Sequence, residues 1–374
     1  MNFCLNEYLD ELRPLIDVDC GTYTLEGNEC IAAQFEAKFA QLAGWQVTRI
    51  DCGKAGVGLE IRNQPQSEQI DAMLIGHMDT VFPVGTVAQR PMSTDEDKAY
   101  GPGVSDMKSG LLNIVYAMRN LDQAVLDKLS ICICMNPDEE TGPLHSVDWI
   151  QSVAKQAKTV LVAEAARADG GLVKARKGMA RYKLTFNGVA AHAGNEPEKG
   201  RSAITEMANW ILAINSMTSF ESGTTLNVGV VSGGAGANIV PEHAQAIVDV
   251  RFWSNAEYDA IDTKIKAKAQ KPFGEGVTVQ VEREAYKPSM VPSEETQALM
   301  ALVQTAADEL AIDINWKEVG GGSDANNTAI LGVPTLDGLG PIGAGFHSDQ
   351  EYLLLASIEP RIKLLMRVLE KIAQ

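Results

Sequence analysis

Two histidines and a set of carboxylates fall in separated clusters along this chain. The clusters are Gly76-His77-Met78-Asp79-Thr80, Gly101-Pro102-Gly103-Val104-Ser105-Asp106, Asp138-Glu139-Glu140, Glu164 and Phe346-His347-Ser348. Imidazoles and carboxylates are the N and O donors of a binuclear metal site. Two divalent cations that share a carboxylate activate water and polarise a carbonyl in one pocket, so the chemistry to expect is hydrolysis of an amide. Taken singly, each cluster has a plain structural explanation. His-x-Asp after a strand is often a hydrogen-bonded pair, Glu-Glu is often a solvated loop, and Gly-Pro-Gly is usually a turn. Taken together they point to a metal, because adjacent carboxylates at the end of an apolar strand are costly without cations. The chain has only five His, and two lie in these clusters.

The elements that must position these groups alternate between strand and helix. Residues 70–76 read as a buried strand ending at His77, and residues 129–135 as a strand ending just before Asp138-Glu139-Glu140. Residues 159–163 read as a strand ending at Glu164, and residues 110–121 as a helix with Leu111, Ile114, Val115 and Met118 at helical spacing. Three clusters thus follow strand C-termini, where open, mostly parallel α/β sheets place their sites.

The middle of the chain reads differently. Residues 178–186 alternate as a strand, 201–217 form a helix, and 226–231 and 246–252 form strands joined through a Gly-rich turn. Residues 256–269 form a helix and 277–283 a strand. The order β-α-β-β-α-β is that of a ferredoxin-like unit, so residues 173–288 are expected to be an inserted second domain. Residues 1–172 and 289–374 would then share one discontinuous domain, with helices at 293–310, 324–331 and 358–372 and a short strand at 314–318. A chain of 374 residues is long for a single core, which also favours two domains.

Composition narrows the function. The net charge of −17 disfavours nucleic-acid binding, which relies on Lys/Arg patches. No apolar run is long enough to span a membrane. The start lacks a basic region and an apolar run, so no signal peptide is expected. None of the six Cys forms a Cys-x-x-Cys pair, and a disulfide framework is improbable in a chain this large. Cys132 and Cys134 alternate on one strand and would pack on the same side. A reduced cytoplasm is the expected compartment.

The motifs resemble those of the M20 metallopeptidases, and within them the glutamate carboxypeptidase group. The resemblance rests on residues 76–85 (GHMDTVFPVG), 101–110 (GPGVSDMKSG) and Asp138-Glu139-Glu140-Thr141-Gly142, and it runs from near Leu15 to the end of the chain. It implies an α/β catalytic domain of the zinc-exopeptidase kind, with a mixed, mostly parallel sheet, plus a ferredoxin-like lid that also forms a homodimer. It implies two zinc ions, one held by His77 and Glu164, the other by Glu140 and His347, with Asp106 bridging. Cobalt or manganese would suit the same donors. Asp79 would orient His77, Glu139 would be the general base, and the Asp106–Met107 peptide would be cis.

In the lid, the resemblance implies that His192, in Ala191-His192-Ala193-Gly194, reaches the partner subunit's site and binds the tetrahedral oxyanion. The family more often has Ser at position 191. Asn238 would bind substrate beside it. Lys177, Arg251 and Arg283 are candidate readers of a substrate carboxylate, Arg being suited by its bidentate fork. For Arg251 the bland alternative is a structural ion pair, and for Lys177 an exposed cluster with Lys174 and Arg176. Arg283 is followed by Glu where the family usually has Pro. Gly322 and Ser323, in the run Gly320-Gly321-Gly322-Ser323, would approach substrate through their backbone, unless Ser323 simply caps a helix. The implied reaction releases a C-terminal, glutamate-like amino acid from a peptide or N-acyl amino acid. An N-acyl-amino-acid amidohydrolase or a dipeptidase would use the same donors. A catalytically silent binding protein would have lost a ligand or Glu139, and none is lost.

Overall fold

The structure, a computed structural model, describes residues 1–374. The chain divides into two compact units, one of Met1–Ala175, Val291–Val319 and Ser323–Gln374, the other of Arg176–Met290 with Gly320–Gly322.

The first unit is built on a six-stranded sheet. Its order is Gln46–Asp51, Val57–Arg62, Ile131–Asn136, Ala72–His77, Val160–Val162, Thr335–Leu336. The first three strands pair antiparallel and the last four pair parallel. Every residue of Ala72–His77 and of Ile131–Asn136 is buried, as expected for parallel strands covered on both faces. The apolar core includes Leu111, Ile114 and Val115 of helix Ser109–Asn120 and Ile358, Ile362, Leu365 and Leu369 of helix Ile358–Ile372. That i, i+4 spacing puts one stripe of Ile358–Ile372 inward, whereas Ser109–Asn120 is buried on all sides as far as Met118. Gly110 has to be glycine because a Cβ there would lie 1.9 Å from the Ala163 carbonyl oxygen. The helix therefore packs directly on the strand end that leads into Glu164.

The second unit is a four-stranded antiparallel sheet in the order Thr225–Gly233, His243–Phe252, Gly178–Asn187, Thr278–Lys287. With helices Ala203–Asn215 and Asn255–Ala269 it forms the β-α-β-β-α-β arrangement of a ferredoxin-like fold. Alternation along Gly178–Asn187 buries Ala180, Tyr182, Leu184 and Phe186, which share a core with Trp210, Ile214, Tyr258 and Ile265 of the helices. Ser202 and Ser254 cap the two helices through backbone N–H groups of Thr205 and Glu257. No helix in the chain is long and apolar enough to cross a membrane. All six cysteines are free thiols, with Cys132 and Cys134 both buried on one strand.

Candidate metal centre

His77 closes the strand Ala72–His77, which is paired on both sides as far as Ile75 and on one side, to Asn136, at His77 itself. Its Nδ1 lies 3.0 Å from the Asp79 carbonyl oxygen. A carbonyl only accepts, so Nδ1 carries the hydrogen and the neutral ring presents the Nε2 lone pair as its ligand atom. The Nε2 atom lies 3.1 Å from Asp106 Oδ1 and 3.5 Å from Glu164 Oε1. On the other side His347 Nε2 lies 3.3 Å from Asp106 Oδ2 and 3.2 Å from Glu140 Oε2. Asp106 thus stands between the two imidazoles, one carboxylate oxygen toward each. The Asp106–Met107 peptide bond is cis.

Two overlapping donor sets, His77 with Asp106 and Glu140, and His77 with Glu139 and Glu164, have ligand atoms within 4.8 Å of one another. The first set links Glu140 to His77, whereas the direct contact of Glu140 is to His347. The direct contact is the better guide to pairing, because it leaves each imidazole with its own glutamate and Asp106 common to both. His347 holds a left-handed φ of 60°, unusual for a residue other than glycine, so its loop is over-determined by its surroundings.

The electrostatics ask for cations. Burial pushes Glu140 up to about 8, with Asp106 and Glu139 adding repulsion. Burial and the neighbouring Asp106 push Glu164 up to about 7. Burial also opposes charge on Asp106, yet its contacts with His347 and His77 hold it well below the usual carboxylate range. His347 is pushed up to about 10 by Asp106 and Glu140. Burial opposes charge on His77, but Asp106, Asp79 and Glu164 raise it well above its ordinary value. The buried carboxylates thus crowd one another, with only the two imidazoles near enough to offset their charge. Divalent cations would supply the balancing positive charge, and these N and O donors are the ones zinc accepts at about 2.0–2.2 Å.

Asp79, fully buried, ties the cluster together. Its carboxylate accepts from the backbone N–H groups of Glu139 (3.2 Å) and Glu140 (3.3 Å) and lies 3.2 Å from His77 Nδ1. It also accepts from Thr22 Oγ1 at 2.7 Å. Asp138 bonds within its own loop. It accepts from the His145 N–H and the Ser146 hydroxyl and so braces the loop that carries Glu139 and Glu140.

In the second unit, Ala191–His192 pairs with Ile239–Val240, and the Ala193 N–H donates to the Asn238 carbonyl. His192 and Asn238 are therefore neighbours on one small ribbon. His192 Nδ1 accepts the N–H groups of Gly194 and Asn195, both at 3.1 Å, which leaves Nε2–H as the donor of the neutral ring. Arg251 pairs with Asp249 at 2.9 Å. Arg283 donates to the Tyr258 hydroxyl at 2.9 Å and lies over the Tyr286 ring. Lys177 donates to the Gly223 carbonyl. Gly321 accepts from Arg176 at 2.9 Å, and a Cβ at Gly320 or Gly321 would meet nothing within 4 Å, so packing alone does not require glycine there. The Ser323 hydroxyl is engaged as a helix cap, accepting from the Ala325 N–H and donating to Asp337 at 2.5 Å.

Sequence reasoning passed over two residues of this centre. Thr22 sits in a turn with no signature, and only the bridge of Gly21 to Thr80 brings it beside Asp79. Glu351 is fully buried and holds the loop before Asp106. Its position four residues after His347 was the one available signal.

An α/β sheet with imidazoles and carboxylates gathered at its strand ends defines a metal-dependent hydrolase. The comparisons narrow the class. The profile of peptidase family M20/M25/M40 matches residues 73–371, and the chain belongs to that family. It is 31% identical to carboxypeptidase G2 of Pseudomonas sp. (strain RS-16) over 96% of this chain and 87% of that protein. It is 27% identical to a succinyl-diaminopimelate desuccinylase of Acidovorax ebreus over 82% of each. Among solved structures, aminopeptidase PepT from Bacillus cereus superposes with a TM-score of 0.77 at 24% identity, covering 99% of both chains. An M20 family metallo-carboxypeptidase from Sulfolobus solfataricus superposes at 0.74 and 17% identity, covering 98% of this chain and 99% of that one. The chain is an M20 metallopeptidase/amidohydrolase, and its fold class is the one its motifs imply.

Proposed function

We propose that this chain is a two-metal exopeptidase that hydrolyses the amide bond of a C-terminal, glutamate-like amino acid in a peptide or N-acyl amino acid. The observation that carries the reading is the placement of Asp106 between two imidazoles, each with its own glutamate. His77 and Glu164 would hold one zinc and Glu140 and His347 the other, with Asp106 shared. When bound, the two cations polarise the scissile carbonyl and acidify water.

The remaining steps belong to side chains. Glu139 takes the proton of the attacking water and delivers it to the leaving amine. Asp79 keeps Glu139 in register through its backbone N–H. His192 of the partner subunit donates its Nε2–H to the oxyanion, with the Asn238 amide beside it. The tautomer set by Gly194 and Asn195 supports that role. Arg283 and Arg251, with Lys177, read the substrate carboxylate, and the Gly322–Ser323 backbone lies along the substrate. A homodimer through the second unit is supported by an exposed edge strand, where Val230 is 60% and Val231 52% exposed, and by Leu212 at 70%; such an edge invites pairing.

The likeness to carboxypeptidase G2 supports a carboxypeptidase, and the likeness to desuccinylases supports a second reading, an N-acyl-amino-acid amidohydrolase. Release of free amino acid from benzoyl- and folyl-glutamate, N-acetyl and N-succinyl amino acids and free dipeptides, by metal-free protein with and without added zinc, separates them. Zinc-dependent release of glutamate from N-blocked substrates is expected. Cleavage confined to dipeptides with free amines would refute the proposal.

A further inference from the structure

The turn that carries His347 and the turn that carries Asp106 lie far apart in sequence, yet one side chain joins them. Gly343–Ala344 and Tyr352–Leu354 pair antiparallel, and His347 lies in the loop between them. Tyr352–Leu354 also pairs with Lys98–Tyr100, which leads straight into Gly101-Pro102-Gly103. Glu351 closes the His347 loop, and its carboxylate turns back toward the other one. Its Oε2 accepts from the Gly103 N–H at 3.0 Å. Its Oε1 accepts from the Ser105 N–H at 2.9 Å, the Asp106 N–H at 3.1 Å and the Ser105 hydroxyl at 3.4 Å. Gly103 has a φ of 74°, which helps this short run present its N–H groups to one anion.

We propose that Glu351 is a positioning residue that clamps the Asp106 loop to the His347 loop and thereby fixes the second metal position, the one assigned above to Glu140 and His347. The inference rests on the two-metal reading. The two imidazoles differ in how they are held. His77 stands on a strand paired on both sides and is oriented by Asp79. His347 stands in a left-handed turn closed on itself by Ser348 bonds to the Gly345 carbonyl, and it is tied to the rest of the unit by Arg90, which donates to the Ser348 carbonyl at 2.8 Å, by Arg167 over the Phe346 ring, and by Glu351, which alone reaches the Asp106 loop. Removing the clamp therefore loosens His347 relative to Asp106 while leaving His77 and Glu164 in place. A glutamine at 351 keeps one oxygen but turns its NH₂ toward an N–H donor, most cheaply that of Gly103, and part of the grip is lost.

The test measures zinc per full-length chain by equilibrium dialysis across a range of free zinc, for wild type, Glu351→Gln and Glu351→Asp, with circular dichroism to confirm folding. Wild type should bind two ions. Glu351→Gln should bind its weaker ion roughly 10–100-fold less tightly, the usual effect of losing an outer partner of a ligand, with the tighter ion unchanged. Glu351→Asp keeps the charge but shortens the reach, should show the same split to a smaller extent, and decides the matter if the glutamine variant does not fold. Two ions of wild-type affinity in the folded variants, or equal weakening of both, would overturn the clamp alone. Fewer than two ions in wild type would overturn the two-metal reading and the clamp with it.

Discussion

Thr22 offers a sharp test of how the centre is held, because its hydroxyl can be deleted almost without changing shape. In Thr22→Val the side chain stays branched and buried, but the 2.7 Å hydrogen bond to Asp79 Oδ2 is lost. A hydrogen bond to a charged acceptor contributes about 1.5–3 kcal/mol. Asp79 retains the N–H groups of Glu139 and Glu140, so no buried charge is stranded and the lower figure applies. For a domain of this size about 1.5 kcal/mol lowers the midpoint of thermal unfolding by roughly 3–6 °C. The carboxylate also becomes free to swing, and with it His77 and the Glu139 backbone, so turnover should fall by about tenfold, the lower end for outer partners of metal ligands. Thr22→Ser keeps the hydroxyl and should stay near wild type in both. The assay is thermal unfolding by circular dichroism beside zinc-loaded turnover of benzoyl-glutamate. Val matching wild type, or Ser falling as far as Val, would refute the reasoning, the second because it would put the effect on packing of the methyl group.

Further outcomes are expected. His192→Ala and Glu139→Ala should each be inactive alone, and an equal mixture after subunit exchange should recover about a quarter of wild-type activity, since half the dimers are hybrids with one working site of two; no recovery would place His192 outside the partner's site. Arg283→Ala should raise KM for substrates with a free C-terminal carboxylate and leave that for amidated ones unchanged, and equal effects would assign the side chain to its contacts with Tyr258 and Tyr286 alone. Partial burial pushes the carboxyl of Glu11 up, but bonds from Arg119 (2.7 Å) and Lys38 (2.6 Å) win and hold it at about 2. The depressed value means that its contribution, roughly 2 kcal/mol after allowance for its 29% side-chain exposure, is fully present above about pH 4.5 and lost as pH falls toward 2. The stability gap between wild type and Glu11→Gln should close over that range in urea titrations, and a gap that does not change with pH would contradict it.

Much of this was legible in the sequence because apolar periodicity and ligand clusters are local. The helix expected at 358–372 is Ile358–Ile372, and the strand expected at 70–76 is Ala72–His77, with His77 itself paired to Asn136. The hairpin of Gln46–Asp51 and Val57–Arg62 left no clear trace, since its outer strand is an edge with mostly exposed residues. The outer supports of the centre were harder still. Thr22 and Glu351 act through contacts 57 and about 245 positions away. Apart from its spacing of four from His347, nothing in Asp349-Gln350-Glu351 distinguishes a buried carboxylate from a solvated acidic turn. At Ser323 the helix cap that the sequence also allowed is formed by the hydroxyl, and the expected approach to substrate concerns the backbone instead.

The first unit is also discontinuous along the chain, and that orders its assembly. Residues 77, 106, 140 and 164 are all made before the excursion into Arg176–Met290. The outermost parallel strand, Thr335–Leu336, and His347 come only after it. A growing chain that has produced the first unit's early strands therefore carries the acids at 106, 140 and 164 with only one of their two imidazole partners, His77. His347, and Glu351 with its bonds back to the Asp106 loop, can join the earlier residues only after that excursion has been made.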